Sequence, residues 1–207
     1  MRKEVKSVKK KNKQNGVKVV IIAIVLVAML VGYYFYLSNK TREVKEVKQL
    51  SEVDQVLLRN LKTDYPPSPK EVVKYYAEIT KCFYDGKYTE EQLEELAVQS
   101  RELLDDELTA QQTDTDYLFD LQMDISEYQK NDIHISSYAT SSSVDVEYSN
   151  TKDGQLASLY CIFNIRKGTM LMSSNHQFIL RKDDNGHWKI LGWTLAEDEE
   201  EENEEKK

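Results

Sequence analysis

Residues 19–37 read VVIIAIVLVAMLVGYYFYL, nineteen positions without a charge. No other segment limits the fold as strongly. As a helix they would rise ~28 Å, close to the ~30 Å hydrocarbon thickness of a bilayer, and in lipid only a helix satisfies its own backbone polar groups. Tyr33, Tyr34, Phe35 and Tyr36 crowd one end, where amphipathic rings favour the headgroup layer. The mean hydropathy of the whole chain is −0.62, so its apolar character is concentrated here.

Charge sets the expected orientation. Residues 1–18 hold eight Lys or Arg, among them Lys9, Lys10, Lys11, Lys13 and Lys18, against the single acid Glu4. Basic residues beside a membrane helix are retained in the cytoplasm. The remaining residues carry 20 basic and 35 acidic groups, a net charge of −15. The expectation is a plasma-membrane protein with one span, a cytoplasmic N-terminus and an extracytoplasmic C-terminal domain. The apolar run exits through Tyr-Tyr-Phe-Tyr-Leu-Ser-Asn with no small-residue cleavage site, which favours an uncleaved anchor over a signal peptide. A topogenic role accounts for the lysines without a nucleic-acid partner, and phosphate would be repelled by the acidic remainder.

Residues 38–67 read as a helical stalk ending in a Pro-rich break. Val47, Leu50, Leu57 and Leu61 follow a 3/4 spacing that Asp54 interrupts. A plain stalk is favoured over a short parallel coiled coil, which would make a weak homodimer and normally needs three to four heptads. Pro66 and Pro67 stop the stalk.

Ser68-Pro69 with Glu71 opens a helix running to about Tyr84, with Val72, Tyr76, Ile79 and Phe83 on one face. Thr89 and Gln92 open a second, extending through Leu104, with Leu93, Leu96 and Ala97 inward. Asp114 or Thr115 caps a third, carrying Tyr117, Leu118, Leu121 and Ile125. From Ile133 the period falls to two. Val144, Val146 and Tyr148 alternate with acids, Leu159 to Ile165 alternate again, and Asp153-Gly154 and Asn185-Gly186 mark hairpins. The last strand is His187–Leu195. The expectation is an α+β domain at 68–196, three helices on a four-stranded antiparallel meander, followed by a solvated acidic tail at 197–207.

This order resembles the NTF2-like (cone-shaped α+β) superfamily, with Trp188-Lys189-Ile190 and Trp193 similar to the closing strand of such domains. The lysine-rich start, the run ending Tyr33-Tyr34-Phe35-Tyr36, the helix start Tyr65-Pro66-Pro67-Ser68-Pro69-Lys70-Glu71-Val72-Val73 and the strand His187-Trp188-Lys189-Ile190 resemble a family of uncharacterised single-pass membrane proteins of Gram-positive bacteria. These resemblances imply a topology and a fold. They imply no activity, because the superfamily hosts both enzymes and binding subunits.

The residues themselves offer little chemistry. His134, His176 and His187 lack partners at ligand spacing, so no metal or cofactor is expected. Seven glycines form neither G-x-G-x-x-G nor G-x-S-x-G. Asp105, Asp106 and Glu107 read as a solvated face. Cys82 and Cys161 are candidates for a disulfide, the alternative being two free buried thiols. Tyr76, Tyr117, Tyr160 and Trp193 are candidate pocket lining, although aromatics at helix or strand period more often fill cores. The expected function is an interaction module meeting a protein of the bacterial cell envelope. The alternative is a small-ligand binding or isomerase-like enzyme using the cone pocket.

Overall fold

The computed structural model describes residues 27–36, 50–152 and 154–196. Contacts divide the chain into two units at residues 49 and 50. In the first, residues 27–36 form a helix, α1, with Val27, Met29 and Leu30 exposed. Among the described residues no helix is long and apolar enough to cross a membrane. The basic tail, residues 19–26 and 37, the stalk up to residue 49 and the acidic tail lie outside the described residues.

The second unit is α+β, with helices packed on an antiparallel sheet, and it starts earlier than expected. Ser51 caps α2 (Glu52–Leu57) through a capping box with Asp54, the residue that broke the coiled-coil stripe. Asp54 also accepts a hydrogen bond from Gln92 Nε2 at 2.8 Å. Val53 and Leu61 are buried in the domain's own core, which removes Leu61 from any seam between stalks. Residues 50–67 therefore belong to the domain rather than to a free-standing stalk.

Helix α3 (Pro69–Asp85) follows, with Ser68 accepting from Glu71 N and Pro69 at the first helical position, as the residue pattern required. Its buried face comprises Val72, Val73, Tyr75, Ile79 and Phe83, and Tyr76 is only half-buried. Gly86 ends the helix, and a Cβ there would stand 2.4 Å from the Cys82 carbonyl oxygen, so the close turn excludes any larger residue. Thr89 opens α4 (Glu90–Glu102) with a second capping box. Next come a single turn that periodicity missed, α5 (Asp106–Thr109), and then α6 (Asp114–Lys130), whose cap is Thr113 rather than the two residues after it.

Five strands follow instead of four. β1 (Ile133–Thr140) and β2 (Glu147–Thr151) share one edge of β3 (Gly154–Lys167). They are the two halves of one expected strand. The break lies at Ser141, which trades hydrogen bonds with Tyr160 through its backbone N–H and hydroxyl before a 3-10 turn at Ser143–Asp145. That turn throws Val144 into solvent, 89% exposed, while Val146 turns inward. β4 (Met170–Lys182) and β5 (Trp188–Leu195) complete the meander. Gly168, at φ +55°, opens the tight β3–β4 turn. Asp183 shapes the β4–β5 turn, accepting from Asn185 N and His187 N at 2.9 and 2.7 Å, with Gly186 at φ +84°.

The core lies between α3 and the face of the sheet bearing Leu159, Cys161, Phe163, Phe178, Leu180 and Ile190. Residues 103–105 close the far edge: Ile190 N donates to Leu103 O and Asp105 N to Ile190 O, both at 2.8 Å. This isolated bridge covers the edge of β5 at Ile190. No disulfide forms. Cys82 and Cys161 are free and buried, at 3% and 0% exposure. Burial pushes their thiols up, to about 11 and about 12 respectively.

Candidate interaction groove on the helical layer

Helix α4 turns Leu93, Leu96, Ala97 and Ser100 into the core. That leaves Glu91, Glu94, Glu95, Val98 and Glu102 facing outward as a ridge, with Val98 57% exposed. A groove runs along each side of it. On one side a cleft of about 810 Å³ lies between α4, α5 and the start of α6, with Ala97, Val98, Ala110 and Leu118 as its apolar surface. On the other, a cleft of about 640 Å³ separates α4 from Leu57, Leu58 and Leu61. The two clefts share Glu94, Val98 and Glu102, so the ridge stands between them.

Arg101 builds the first cleft. Its Nη2 donates to Thr109 O at 3.1 Å and Gln112 O at 2.9 Å, its Nε meets Asp114 Oδ1 at 2.6 Å, and its guanidinium lies over the Tyr117 ring at 5.1 Å. One guanidinium thus fixes α5 and the cap of α6 against α4, using its several donors in a planar fork. Tyr117 Oη shares a hydrogen bond of 2.8 Å with Ser100 Oγ. Burial raises the Tyr117 phenol, with the Ser100 bond and Arg101 pulling the other way, so the group stays neutral at physiological pH. With Arg101 committed, Glu94, Glu102 and Asp106 bring carboxylates to the lining of this cleft.

The acidic cluster beside this cleft is not the solvated face that its composition implied. Asp105 is 5% exposed. It caps α5 by accepting from Glu107 N, and its carboxylate receives Arg181 Nη2 and Nε at 2.5 and 3.0 Å. Glu107 takes Arg181 Nη1 at 2.8 Å. These bonds hold the guanidinium charged and raise its pKa further. Only Asp106 and Glu107 keep exposed positions. Sequence reading missed the buried member because Arg181 lies far off in the chain.

The four aromatic candidates do not form one pocket. Tyr117 borders the first cleft. Tyr76 packs on Phe178 and Trp193, with ring centroids 5.8 and 5.6 Å away, and Phe178 stacks on Trp193 at 5.9 Å. Phe178 is buried at the centre of this cluster, while Trp193 stays 44% exposed at its rim. Tyr160 points to the opposite face of the sheet, 43% exposed, because it alternates with the inward residues Leu159 and Cys161. Side-chain alternation along β3 excludes it from any pocket with the other three.

A smaller cleft of about 350 Å³ lies beside α2, where Tyr138 Oη donates to Glu78 Oε1 at 3.0 Å and Lys81 pairs with Glu52. Its charged and phenolic groups are engaged with one another. Of the histidines, His134 meets Asp132 at 3.1 Å and His187 stacks on Tyr65 at 4.2 Å. His176 shares a 2.9 Å hydrogen bond with Ser174 through Nε2, while its Nδ1 is buried without a partner, and burial lowers its pKa. Among the described residues no three His, Cys, Asp or Glu side chains converge as a metal site would need.

Fold and site together define an α+β domain with a grooved, acidic helical layer. The chain matches the model of a family described as a domain of unknown function, DUF6715, over residues 8–193, and it belongs to that family. The match runs from the basic tail into β5. No curated protein matches the chain.

Proposed function

We propose that this chain is a membrane-anchored extracytoplasmic interaction module whose α4 ridge docks a partner protein of the bacterial cell envelope. The observation that carries the reading is the pair of long, open clefts flanking one ridge, each with apolar surface beneath a polar rim. Such relief fits an elongated protein segment better than a compact ligand, which is usually enclosed over most of its surface. The cone-pocket enzyme is less well supported, since Tyr76, Phe178 and Trp193 pack on one another where a substrate would sit. Helices followed by an antiparallel meander, with α3 laid across the sheet, support an NTF2-like assignment of the domain.

A photo-crosslinking residue at Val98, in intact cells of the native host, tests the docking. One dominant envelope adduct is expected there, and not from the same residue at Val144. Adding Val98→Asp to the purified pair would weaken binding about tenfold or more if Val98 is an anchor. Stability should change by no more than about 0.5 kcal/mol at so exposed a position. Equal, diffuse labelling from both sites would remove the reading.

The anchor reading rests on the apolar run, the basic flank and the acidic remainder. A membrane-impermeant thiol reagent on intact cells should miss Lys10→Cys and modify Asn203→Cys. Native Cys82 should stay silent in the folded domain, since a thiol with a pKa of about 11 is ionised only ~10⁻³ at pH 8. The reverse labelling pattern would overturn the topology.

A further inference from the structure

The β3–β4 hairpin differs in charge from the rest of the domain. Residues 50–196 contain 25 acidic and 14 basic residues, yet none of the acids lies between Gly154 and Lys182. Arg166 and Lys167 stand immediately before its turn, and both are exposed. On the β1 side the hairpin is paired to its end, Ile133 opposite Lys167, but on the other side it outruns its neighbour. β5 pairs with β4 only as far as His176, opposite Leu195, so among the described residues no strand covers that edge of Met170–Ser174. Met170, Leu171 and Met172 are 60, 71 and 42% exposed. Successive strand residues point to opposite faces, so this apolar surface lies on both sides of the tip. A helix or sheet packed on one face would leave the other in water. A bilayer interface, into which the tip dips, covers both.

We propose that the β3–β4 tip docks on a bilayer containing anionic lipid, with Met170, Leu171 and Met172 in the interfacial layer and Arg166 and Lys167 on headgroup phosphates. Charge complementarity favours this occupant, because the hairpin, with no acid of its own, is the part of an acidic domain that such a surface attracts rather than repels. Nearby, Lys130 adds a further cation at the end of α6. Asp132, whose carboxylate lies beside the Gly168 turn, bonds to His134 at 3.1 Å. Met and Leu supply pliable apolar area without buried polar groups. The anchored reading serves only to keep the tip near a bilayer, and the experiment reads the two separately.

The full chain carrying a polarity-sensitive fluorophore at Leu171→Cys is mixed with vesicles of phosphatidylcholine, alone or with phosphatidylglycerol. A blue-shifted emission, quenched by nitroxide-labelled lipid, is expected only with phosphatidylglycerol. The same probe at Ser149→Cys on β2 should stay in water, and Met170→Cys should repeat the Leu171 result. Arg166→Glu with Lys167→Glu should lower the docked fraction ~tenfold or more, since each cation near an anionic surface counts for about fivefold. Circular dichroism confirms that this exposed double variant is folded. An unquenched probe overturns the proposal. So does a shift that appears in phosphatidylcholine alone and grows with protein density, because a second copy would then cover the tip. Flotation with phosphatidylcholine vesicles, to which the tip does not dock, reports the anchor. A chain that floats while its Leu171 probe stays in water even with phosphatidylglycerol overturns docking and keeps the anchor. A chain that does not float, yet responds to added phosphatidylglycerol vesicles, does the reverse.

Discussion

Replacing Arg181 with alanine is expected to destabilise the domain by about 3–5 kcal/mol, the range for breaking a buried ion pair from one side. For a domain of this size that is roughly 10 °C in thermal midpoint. The magnitude comes from what is left behind. Asp105 has only 7% of its side chain exposed, and its two charge-assisted bonds both come from Arg181. Without the guanidinium a carboxylate stays out of water with only the Glu107 N–H to meet it. Asp105→Leu combined with Arg181→Met should recover most of the loss, because an apolar pair of similar volume is often as stable as the ion pair. The cap on α5 is still lost in that double variant, at about 1 kcal/mol. A thermal midpoint within 2–3 °C of the parent for Arg181→Ala would mean that the pair is solvated and contributes as weakly as an exposed bridge.

Phe178→Ala should cost about as much, 3–5 kcal/mol, through a different mechanism. Phe178 is 1% exposed at the centre of a ring cluster with Tyr76, Trp193 and His176. Removing the ring deletes its transfer free energy and leaves a space that the sheet is too stiff to close. Trp193 reports the event directly, since it loses its stacking partner and its emission should move to longer wavelength. Loss of near-ultraviolet dichroism with far-ultraviolet signal retained would show that packing, not secondary structure, has suffered. If stability falls by less than about 1 kcal/mol, the cluster collapses freely, and the space beneath α3 is adaptable enough to reopen the ligand reading.

Both predictions depend on partners the chain keeps far apart. Arg181 and Asp105 are separated by 76 residues, and nothing in Leu103-Leu104-Asp105-Asp106-Glu107 distinguishes a buried acid from its solvated neighbours. Contiguous acids read as a surface because, taken locally, they are one. The Ile190 bonds to residues 103–105 turn Asp105 inward onto the sheet, and no periodicity in the sequence carries that information. Tyr160 shows the converse. Its strand phase was legible beside Leu159 and Cys161, and following it would have placed the ring on the outer face, apart from Tyr76, Tyr117 and Trp193.

Local chemistry determined a good deal. Ser68, Thr89 and Ser51 cap helices through contacts within three residues, so the starts of α3 and α4 were readable, and α2 was hidden only by the heptad-like stripe laid over it. The change of period at Ile133 and the Gly-bearing turns announced an antiparallel sheet for the same reason: a turn is written in a few adjacent residues. Where β1 ends and β2 begins was decided by Ser141 meeting Tyr160, 19 residues on. The grooves beside α4, the engagement of Arg101, the freedom of both thiols and the uncovered β4 edge at the β3–β4 tip likewise arise from packing between distant elements. Sequence by itself determined elements, caps, turns and charge, since these depend on backbone dihedrals and side-chain periods within a few residues. Only the tertiary structure decided which polar groups are buried and which apolar ones remain exposed, because burial depends on surfaces that the chain brings together over long separations.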